Sequence, residues 1–314
     1  MGIVMAGFHS GNMFGLLLSP LCIAIGGWRT PFVVLPLVLV PLLAAWWYKV
    51  PSPTAPLLAT STSTDALEPR TDDDDDNNNA DDAEAQGEQE NVGIATKPEH
   101  DKEGPIPLRL LVSSGPVWAI VLGTVVNHWG YFTYLTFLPA FLSAQAQMNL
   151  AASAVFAVLP WLSMAVVGRV AGEAADLLRS RGMPLISIRR RFQVASFVGP
   201  ALALLAVMRM RASGITAGAP YVFAMIAALG LQSLGQAGFF TNPQDIAPRR
   251  AASVVGLSNT AGSVAGLVGT GAAGWILQAT GGAWEYVFGA TVVMYILGAV
   301  SYAALAGVEN IFDV

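Results

Sequence analysis

Long apolar runs, separated by short clusters of charged or small polar residues, make up most of this 314-residue chain. A helix that crosses the roughly 30 Å hydrocarbon core of a bilayer needs about 20 mostly apolar residues. The charge-free runs therefore predict eight membrane-spanning helices, two of them within one run of 59 residues. The runs are residues 1–26, 30–48, 110–168 (two spans), 192–208, 212–244, 251–284 and 286–308.

Continuous apolar runs favour helices over a closed barrel, whose strands alternate apolar and polar residues over about ten positions. The basic residues that flank the spans are unevenly divided, nine on the side of the N-terminus and three on the other side. Because cytoplasmic loops carry the excess of lysine and arginine, we predict that the N-terminal side is cytoplasmic, or the stroma or matrix of an organelle.

One segment, residues 51–107, does not follow the apolar pattern. It holds fifteen acidic and three basic residues, so a segment of net charge −12 is attached to a body of net charge +7. It has almost no large apolar side chains and cannot bury enough surface to offset its chain entropy. We predict a disordered acidic loop on the cytoplasmic side, and we favour a solvated linker over a calcium site because the spacing of a calcium-binding loop is absent.

Composition narrows the class of protein. Apolar residues are 54% of the chain and charged residues 12%, about half of the roughly 25% typical of soluble domains. These values exclude soluble enzymes, nucleic-acid-binding proteins and secreted disulfide-rich modules, which leaves the lipid bilayer as the expected surroundings of the chain. Cys22 is the single cysteine and the three histidines are far apart, so we predict no metal site, no catalytic motif and no bound cofactor.

Polar side chains inside the spans are the candidate functional residues, because an amide in hydrocarbon needs a partner or a water-filled cavity. They form one stripe on the third span and another on the sixth. The residues of the two stripes are Asn127, His128, Tyr131, Tyr134, Gln232, Gln236 and Asn242. The stripes predict a hydrated substrate path, and the alternative is hydrogen bonding that only holds the bundle together. A histidine titrates near neutral pH, so His128 is either a proton carrier or, more commonly for a lone histidine, a packed residue.

Glycines recur every four residues on two spans, at Gly7, Gly11 and Gly15 and at Gly262 and Gly266. Small residues let membrane helices approach closely. This spacing is equally typical of helices that rock against each other during transport and of helices that pack statically or dimerise.

Several strings resemble one known family, the anion:cation symporters, which are solute carrier family 17 of the major facilitator superfamily. Their seventh to ninth helices are similar to NHWGYFTYLTFLPAFL, LPWLSMAVVGRVAGEAADLLRSRG and the basic ISIRRRFQ. Their tenth and eleventh helices are similar to TNPQDIAPRRAASVVGLSNTAGSVAG, and their fifth and sixth to GFHSGNMFGLLLSPLCIAIGGWRTPF. Asn127 followed by Trp129 and Gly130 resembles the plant and algal phosphate-transporter branch, many members of which lie in plastid envelopes. Pro243 stands where glutamate-transporting relatives have a histidine.

The resemblance implies an all-α membrane protein built as the superfamily's bundle of twelve helices in two halves. The chain corresponds to helices five to twelve of that bundle: residues 1–50 to the last two helices of the first half, 51–107 to the joining loop and 108–314 to the second half. Transporter sites form between the halves near the membrane midplane. The four unmatched helices therefore imply either a truncated gene model or a partner that supplies them.

The resemblance also implies residues that control a cytoplasmic gate. Asp176 and Arg179 lie in a stretch similar to the superfamily's loop motif, whose aspartate holds one conformational state by charge pairing. Asp245 and Arg249, four residues apart at the cytoplasmic end of the sixth span, are expected to act similarly. The alternative for this second pair is capping of a helix end and anchoring of the membrane orientation.

The function expected from the resemblance is not enzymatic. It is secondary active transport of an anion, inorganic phosphate first, coupled to a sodium or proton gradient by alternating access. Two alternatives stay open: transport of an organic anion such as ascorbate or a sugar acid, and a non-transporting membrane scaffold or truncated gene product whose acidic loop recruits partners. The expected location is the plastid envelope, or otherwise the plasma membrane or another organelle membrane.

Overall fold

Helices account for almost all of the regular structure in the computed structural model, which describes residues 2–49, 108–146, 156 and 158–312. In chain order they are α1 (Gly2–Gly26), α2 (Thr30–Lys49), α3 (Leu108–Ser113), α4 (Gly115–Ala146), α5 (Leu159–Ser180), α6 (Leu185–Ala212), α7 (Gly218–Gln232), α8 (Asn242–Ile246), α9 (Ala251–Ala279) and α10 (Trp284–Leu305), and a 3-10 turn covers Ser233–Gln236. Within these residues no β-strand occurs. The predicted all-α fold class is confirmed.

Each predicted span coincides with one of the eight long helices among the described residues. Five of them are long and apolar enough by themselves to cross a membrane: α2, α6, α7 with its 3-10 extension, α9 and α10. The boundaries differ where charges begin, because a charge-free window ends at a charge and a helix need not. The fourth predicted span stops at Gly168, whereas α5 continues to Ser180. The fifth starts at Phe192, whereas α6 begins at Leu185.

The packing of α9 on α4 depends on glycine. A Cβ added at Gly262 would lie 2.7 Å from Cγ2 of Thr124, and one added at Gly266 would overlap the ring of Phe132. Real Cβ atoms essentially never approach so closely. The glycine stripe predicted on this span therefore permits the close approach of the two helices.

An aromatic cluster joins the C-terminal end of α4 to the N-terminal ends of α7 and α10. Phe141 is buried, and its ring meets those of Tyr221, Trp284 and Phe288 edge-on, with centroids 5.9, 5.2 and 5.0 Å away. Edge-on geometry brings the positive rim of one ring to the negative face of another. The cluster holds this end of the three helices together.

Charged side chains mark both ends of the antiparallel pair α6 and α10. At one end Arg190 Nη2 donates to the carbonyl oxygen of Ala306 at 2.9 Å. At the other end Arg211 Nη2 lies 3.2 Å from Oε2 of Glu285. Arg190 and Arg211 thus lie at opposite ends of the bundle, in agreement with the predicted distribution of basic residues between the two membrane sides.

The chain forms two compact units. One contains Met1–Pro31 and Pro105–Val314, which include α1 and all helices from α3 to α10. The other contains Phe32–Gly104, in which α2 is the described element. The predicted acidic loop, residues 51–107, lies outside the described residues, so its disorder stays a prediction.

Candidate functional site

The two predicted polar stripes meet where α4 contacts α7. Gln232, at the end of α7, is 2% exposed. Its Nε2 donates to the backbone oxygen of Asn127 at 2.9 Å and lies 3.2 Å from the side-chain Oδ1 of the same residue. Its Oε1 is buried and has no hydrogen-bond partner among the described residues. An amide in apolar surroundings with one unsatisfied oxygen is suited to receive a donor from water or solute.

Two tyrosines extend this polar line along α4. The hydroxyl of Tyr131 accepts a hydrogen bond from Nδ2 of Asn12 on α1 at 2.5 Å, and its ring packs edge-on against Trp161 of α5, with centroids 5.1 Å apart. Tyr134 is buried, and the hydroxyl of the buried Tyr295 on α10 lies against Gly130 of α4. Hydroxyls and amides from α1, α4, α7 and α10 therefore come together inside the bundle.

His128 lies on the other side of α4, against α9. Its Nδ1 is 3.0 Å from the backbone oxygen of Thr124, one turn earlier on the same helix. Its ring faces Gly262 and lies 5.6 Å from the ring of Phe132. This is the geometry of a packed, hydrogen-bonded histidine, and it lies away from the contact of Asn127 with Gln232. A proton-carrying role for His128 stays a prediction.

Gln236 lines a cavity of about 200 Å³ beside α5. Its side-chain amide lies against Gly168, where a Cβ would come within 2.6 Å of Nε2. Asp176, Arg189 and Thr241 line the same cavity. Gln236 therefore faces a cavity that both charged and small apolar residues line.

Asn242 opens α8 and is fully buried. Its Nδ2 donates to the hydroxyl of Tyr302 on α10 at 3.0 Å, and its Oδ1 has no hydrogen-bond partner among the described residues. It joins α8 to α10 and is not among the residues that line the cavity beside Gln236.

A largely buried ion pair joins α6 to α8. Arg189 Nε lies 2.7 Å from Oδ2 of Asp245 and Nη2 lies 3.1 Å from Oδ1, a bidentate pair. Nη1 also donates to the backbone oxygen of Ala237 at 2.9 Å. Both side chains are 13% exposed, so the charges are only weakly screened by solvent. A pair of this kind can lock two helices together in one conformation.

The other predicted gating residues lie at the surface. Asp176 and Arg179, near the C-terminal end of α5, are both exposed, and Arg249 is exposed in the loop before α9. Asp176 shares the cavity with Arg189. The aspartate of the predicted pair Asp245 and Arg249 thus finds its bidentate partner on α6.

Two residues that matter here were missed from the sequence. Arg189 is part of a run of three arginines that was counted only as a marker of membrane side. Asn12 is an amide in the first apolar run, and the criterion applied to Asn127 would have selected it as well.

Among the described residues, no group of three or more His, Cys, Asp or Glu side chains could hold a metal ion.

Comparisons with known proteins agree with this architecture. The sequence profile of the Major Facilitator Superfamily matches residues 1–208. The "Probable anion transporter 1, chloroplastic" of Oryza sativa subsp. japonica is 34% identical over 313 residues, 100% of this chain and 53% of its own length. The "Ascorbate transporter, chloroplastic" of Arabidopsis thaliana is 31% identical over 313 residues, 100% and 52% of the two lengths. The "Sodium-dependent phosphate transport protein 1, chloroplastic" of Arabidopsis thaliana is 36% identical over 208 residues, 66% and 39%.

The chain spans about half the length of the curated relatives it matches over its whole length. The apolar helices and the chloroplastic relatives together support a multi-pass integral membrane protein of the plastid envelope. The relatives also agree with the phosphate-transporter branch that the sequence motifs resemble.

Proposed function

Because the chain belongs to the Major Facilitator Superfamily, we propose that it takes part in secondary active transport of a small anion by alternating access. The observation that carries the proposal is the contact of Asn127 with Gln232 inside apolar helices. Buried amides and hydroxyls are costly in a bundle of this kind unless they are paired or meet water or solute. The unsatisfied Oε1 of Gln232 is suited to a protonated oxyanion, which carries a hydroxyl donor.

Inorganic phosphate is the first candidate substrate, since it offers both a donor and acceptors to such a site. In this proposal Asn127, Tyr131 and Gln236 line the wall of the path on the side of α4 and of the 3-10 turn. Moving an anion inward against a negative membrane potential costs about 2.3 kcal/mol per charge for each 100 mV. Net uptake therefore needs a coupled cation, and we propose sodium or a proton.

An organic anion such as ascorbate or a sugar acid is the second candidate. It is favoured by the relative named as an ascorbate transporter, which matches the whole of this chain. Phosphate is favoured by the relative named as a phosphate transport protein, which matches 66% of it. Both candidates are oxyanions, and they differ in the size of the cavity that they need.

The gate of this transporter is proposed to lie at the ends of α5, α6 and α8. Arg189 and Asp245 hold α6 to α8 while the pair is intact. Asp176, Arg179 and Arg249 surround these ends with exposed charges. Exchange of partners among these groups would let the ends of the helices separate and close again during transport.

Competitive uptake tests this proposal. The purified chain is reconstituted in liposomes under an inward sodium or proton gradient. Uptake of radiolabelled phosphate is measured with unlabelled ascorbate as competitor, and uptake of radiolabelled ascorbate is measured with unlabelled phosphate as competitor. Phosphate uptake that ascorbate does not inhibit supports the first candidate, and ascorbate uptake that phosphate does not inhibit supports the second. Absence of uptake of either anion above that of empty liposomes would contradict the proposal.

A further inference from the structure

A cavity lies between the N-terminal ends of α4 and α6 and the segment that follows α10. Its volume is about 380 Å³, within the range of about 300–1,000 Å³ that is typical of ligand sites. It is lined by Pro116 of α4, by Ile186 and Arg190 of α6, and by residues 306–309 and 311. Apolar side chains, one cation and the carboxylate of Glu309 therefore share one space.

Arg190 lines this cavity without a counterion. It is half-buried, and its Nε is buried with no hydrogen-bond partner among the described residues. Its Nη2 donates to the carbonyl oxygen of Ala306, but within the described part of the chain it forms no ion pair, in contrast to the half-buried Arg189 and Arg211. Because a charge removed from water is costly unless it is paired, an anion from outside the chain would stabilise Arg190.

The backbone after α10 adds hydrogen-bond donors to the same cavity. Gly307, Val308 and Glu309 line it, and their N–H groups donate to no residue that the structure describes. The N–H of Ile311 donates to the carbonyl oxygen of Ile246 at 2.9 Å and so ties this segment to α8. Successive backbone N–H groups recur in anion sites, so the segment supplements the charge of Arg190.

Arg190 lies at the edge of the apolar part of α6. This helix is long and apolar enough to cross a membrane, and residues 192–208, between Arg191 and Arg209, carry no charge. At 1.5 Å per residue this stretch is about 26 Å long, close to the roughly 30 Å of the hydrocarbon core. The cavity is therefore at the level of the lipid headgroups.

The lining of the cavity selects the chemical class of its ligand. The planar fork of a guanidinium matches the paired oxygens of a phosphate, and basic pockets between membrane helices bind the headgroups of anionic lipids. Pro116, Ile186 and Val308 offer apolar surface to the rest of a lipid, which inorganic phosphate lacks. The carboxylate of Glu309 is an acceptor for a hydroxyl group at the far end of a headgroup.

We propose that this cavity binds the headgroup of an anionic glycerophospholipid. Arg190 and the N–H groups of residues 307–309 receive its phosphate, and Glu309 accepts a hydrogen bond from its terminal hydroxyl group. The bound lipid joins α6 to the segment after α10. The site shares no residue with the predicted substrate path or gate, so the inference goes beyond the proposed function and does not depend on transport.

Lipid titration of the whole chain, purified in detergent, tests the proposal. Binding of phosphatidylglycerol is measured by native mass spectrometry for the unaltered protein, Arg190→Gln and Arg191→Gln. The last is the matched control, because it removes the same charge one residue away, from an exposed side chain that does not line the cavity. We expect Arg190→Gln to weaken the affinity at least about tenfold, the scale of a lost hydrogen bond to a charged group, and Arg191→Gln to change it less than about twofold.

Equal losses of affinity in Arg190→Gln and Arg191→Gln, or no saturable binding to the unaltered protein, would overturn the inference. Val308→Phe fills the cavity and leaves Arg190 in place, so it serves if Arg190→Gln does not fold. We expect Val308→Phe to weaken binding as well, and an unchanged affinity in a folded Val308→Phe variant would also overturn the inference. Size-exclusion chromatography shows which variants are folded.

Inorganic phosphate separates the two sources of a phosphate group. It is added to the unaltered protein at the same concentration as phosphatidylglycerol. We expect it not to displace the lipid, because it makes no contact with the apolar lining. Displacement at equal concentration would show that the cavity takes the free anion and that the lipid assignment is wrong.

Discussion

The ion pair between Arg189 and Asp245 allows a quantitative prediction. The contact is bidentate at 2.7 and 3.1 Å, and each side chain is 13% exposed. Removing one partner of a buried pair typically destabilises a protein by about 3–5 kcal/mol, because the other charge is left unpaired. We expect Asp245→Ala to lie at the lower end, about 3 kcal/mol, because some solvent reaches the pair. At about 2–4 °C for each kcal/mol, this is a fall in Tm of roughly 6–12 °C, measurable by fluorescence-detected size-exclusion chromatography after heating.

The controls use a second ion pair and a double variant. Glu173→Ala breaks the pair with Arg169, whose side chains are 62% and 65% exposed, and such exposed pairs contribute less than about 1 kcal/mol. Arg189→Met combined with Asp245→Leu removes both charges and should recover much of the lost Tm, because no charge is left unpaired. Equal falls in Tm for Asp245→Ala and Glu173→Ala, or a double variant less stable than the single one, would refute this reasoning.

Three further predictions follow from the contacts within the bundle. Gly262→Ala should lower the Tm, because overpacking reduces the free energy of unfolding by about 1–3 kcal/mol. Gly271→Ala on the same helix, with nothing within 4 Å of the added Cβ, should raise the Tm, because alanine exceeds glycine in helix propensity by about 0.5–1 kcal/mol. Tm shifts of the same sign for both variants would contradict the packing account. Asn127→Leu should abolish anion uptake while the amount of folded protein in size-exclusion chromatography is unchanged, because the amide partner on α7 loses its side-chain acceptor; normal uptake would exclude Asn127 from the path. Glu285→Gln should lower the free energy of unfolding by less than about 0.5 kcal/mol, a fall in Tm of less than about 2 °C, because its pair with Arg211 is only partly buried, at 45% and 22% exposed. A larger fall would show that the pair is coupled to other groups.

The helices could be predicted because the chemistry that forms them is local. A run of apolar residues long enough to cross a bilayer has to satisfy its backbone within the segment, which leaves the helix as the solution. The ends of the helices were less predictable. Beyond Gly168 the charges of Arg169 and Glu173 pair along the surface of α5, and a window that stops at the first charge cannot show that the helix continues.

The contact between the two polar stripes was predictable in part. Asn127 and Gln232 were selected separately as amides within apolar spans, and the structure brings them into contact. Two partners were not found from the sequence. Asn12 lies 119 residues from Tyr131, to which it donates, and Arg189 lies 56 residues from Asp245, with which it pairs. At such separations, tertiary packing decides which of several basic or amide side chains becomes the partner, and the sequence shows no local pattern for it.

Gradient-driven accumulation tests the central claim most directly. Liposomes that contain the purified chain are loaded without anion, a sodium or proton gradient is imposed, and internal phosphate and ascorbate are measured over time. Secondary active transport predicts that one anion reaches a higher concentration inside than outside, and that an ionophore which collapses the gradient abolishes the excess. Accumulation that never exceeds the outside concentration, or that the ionophore does not change, would contradict the account.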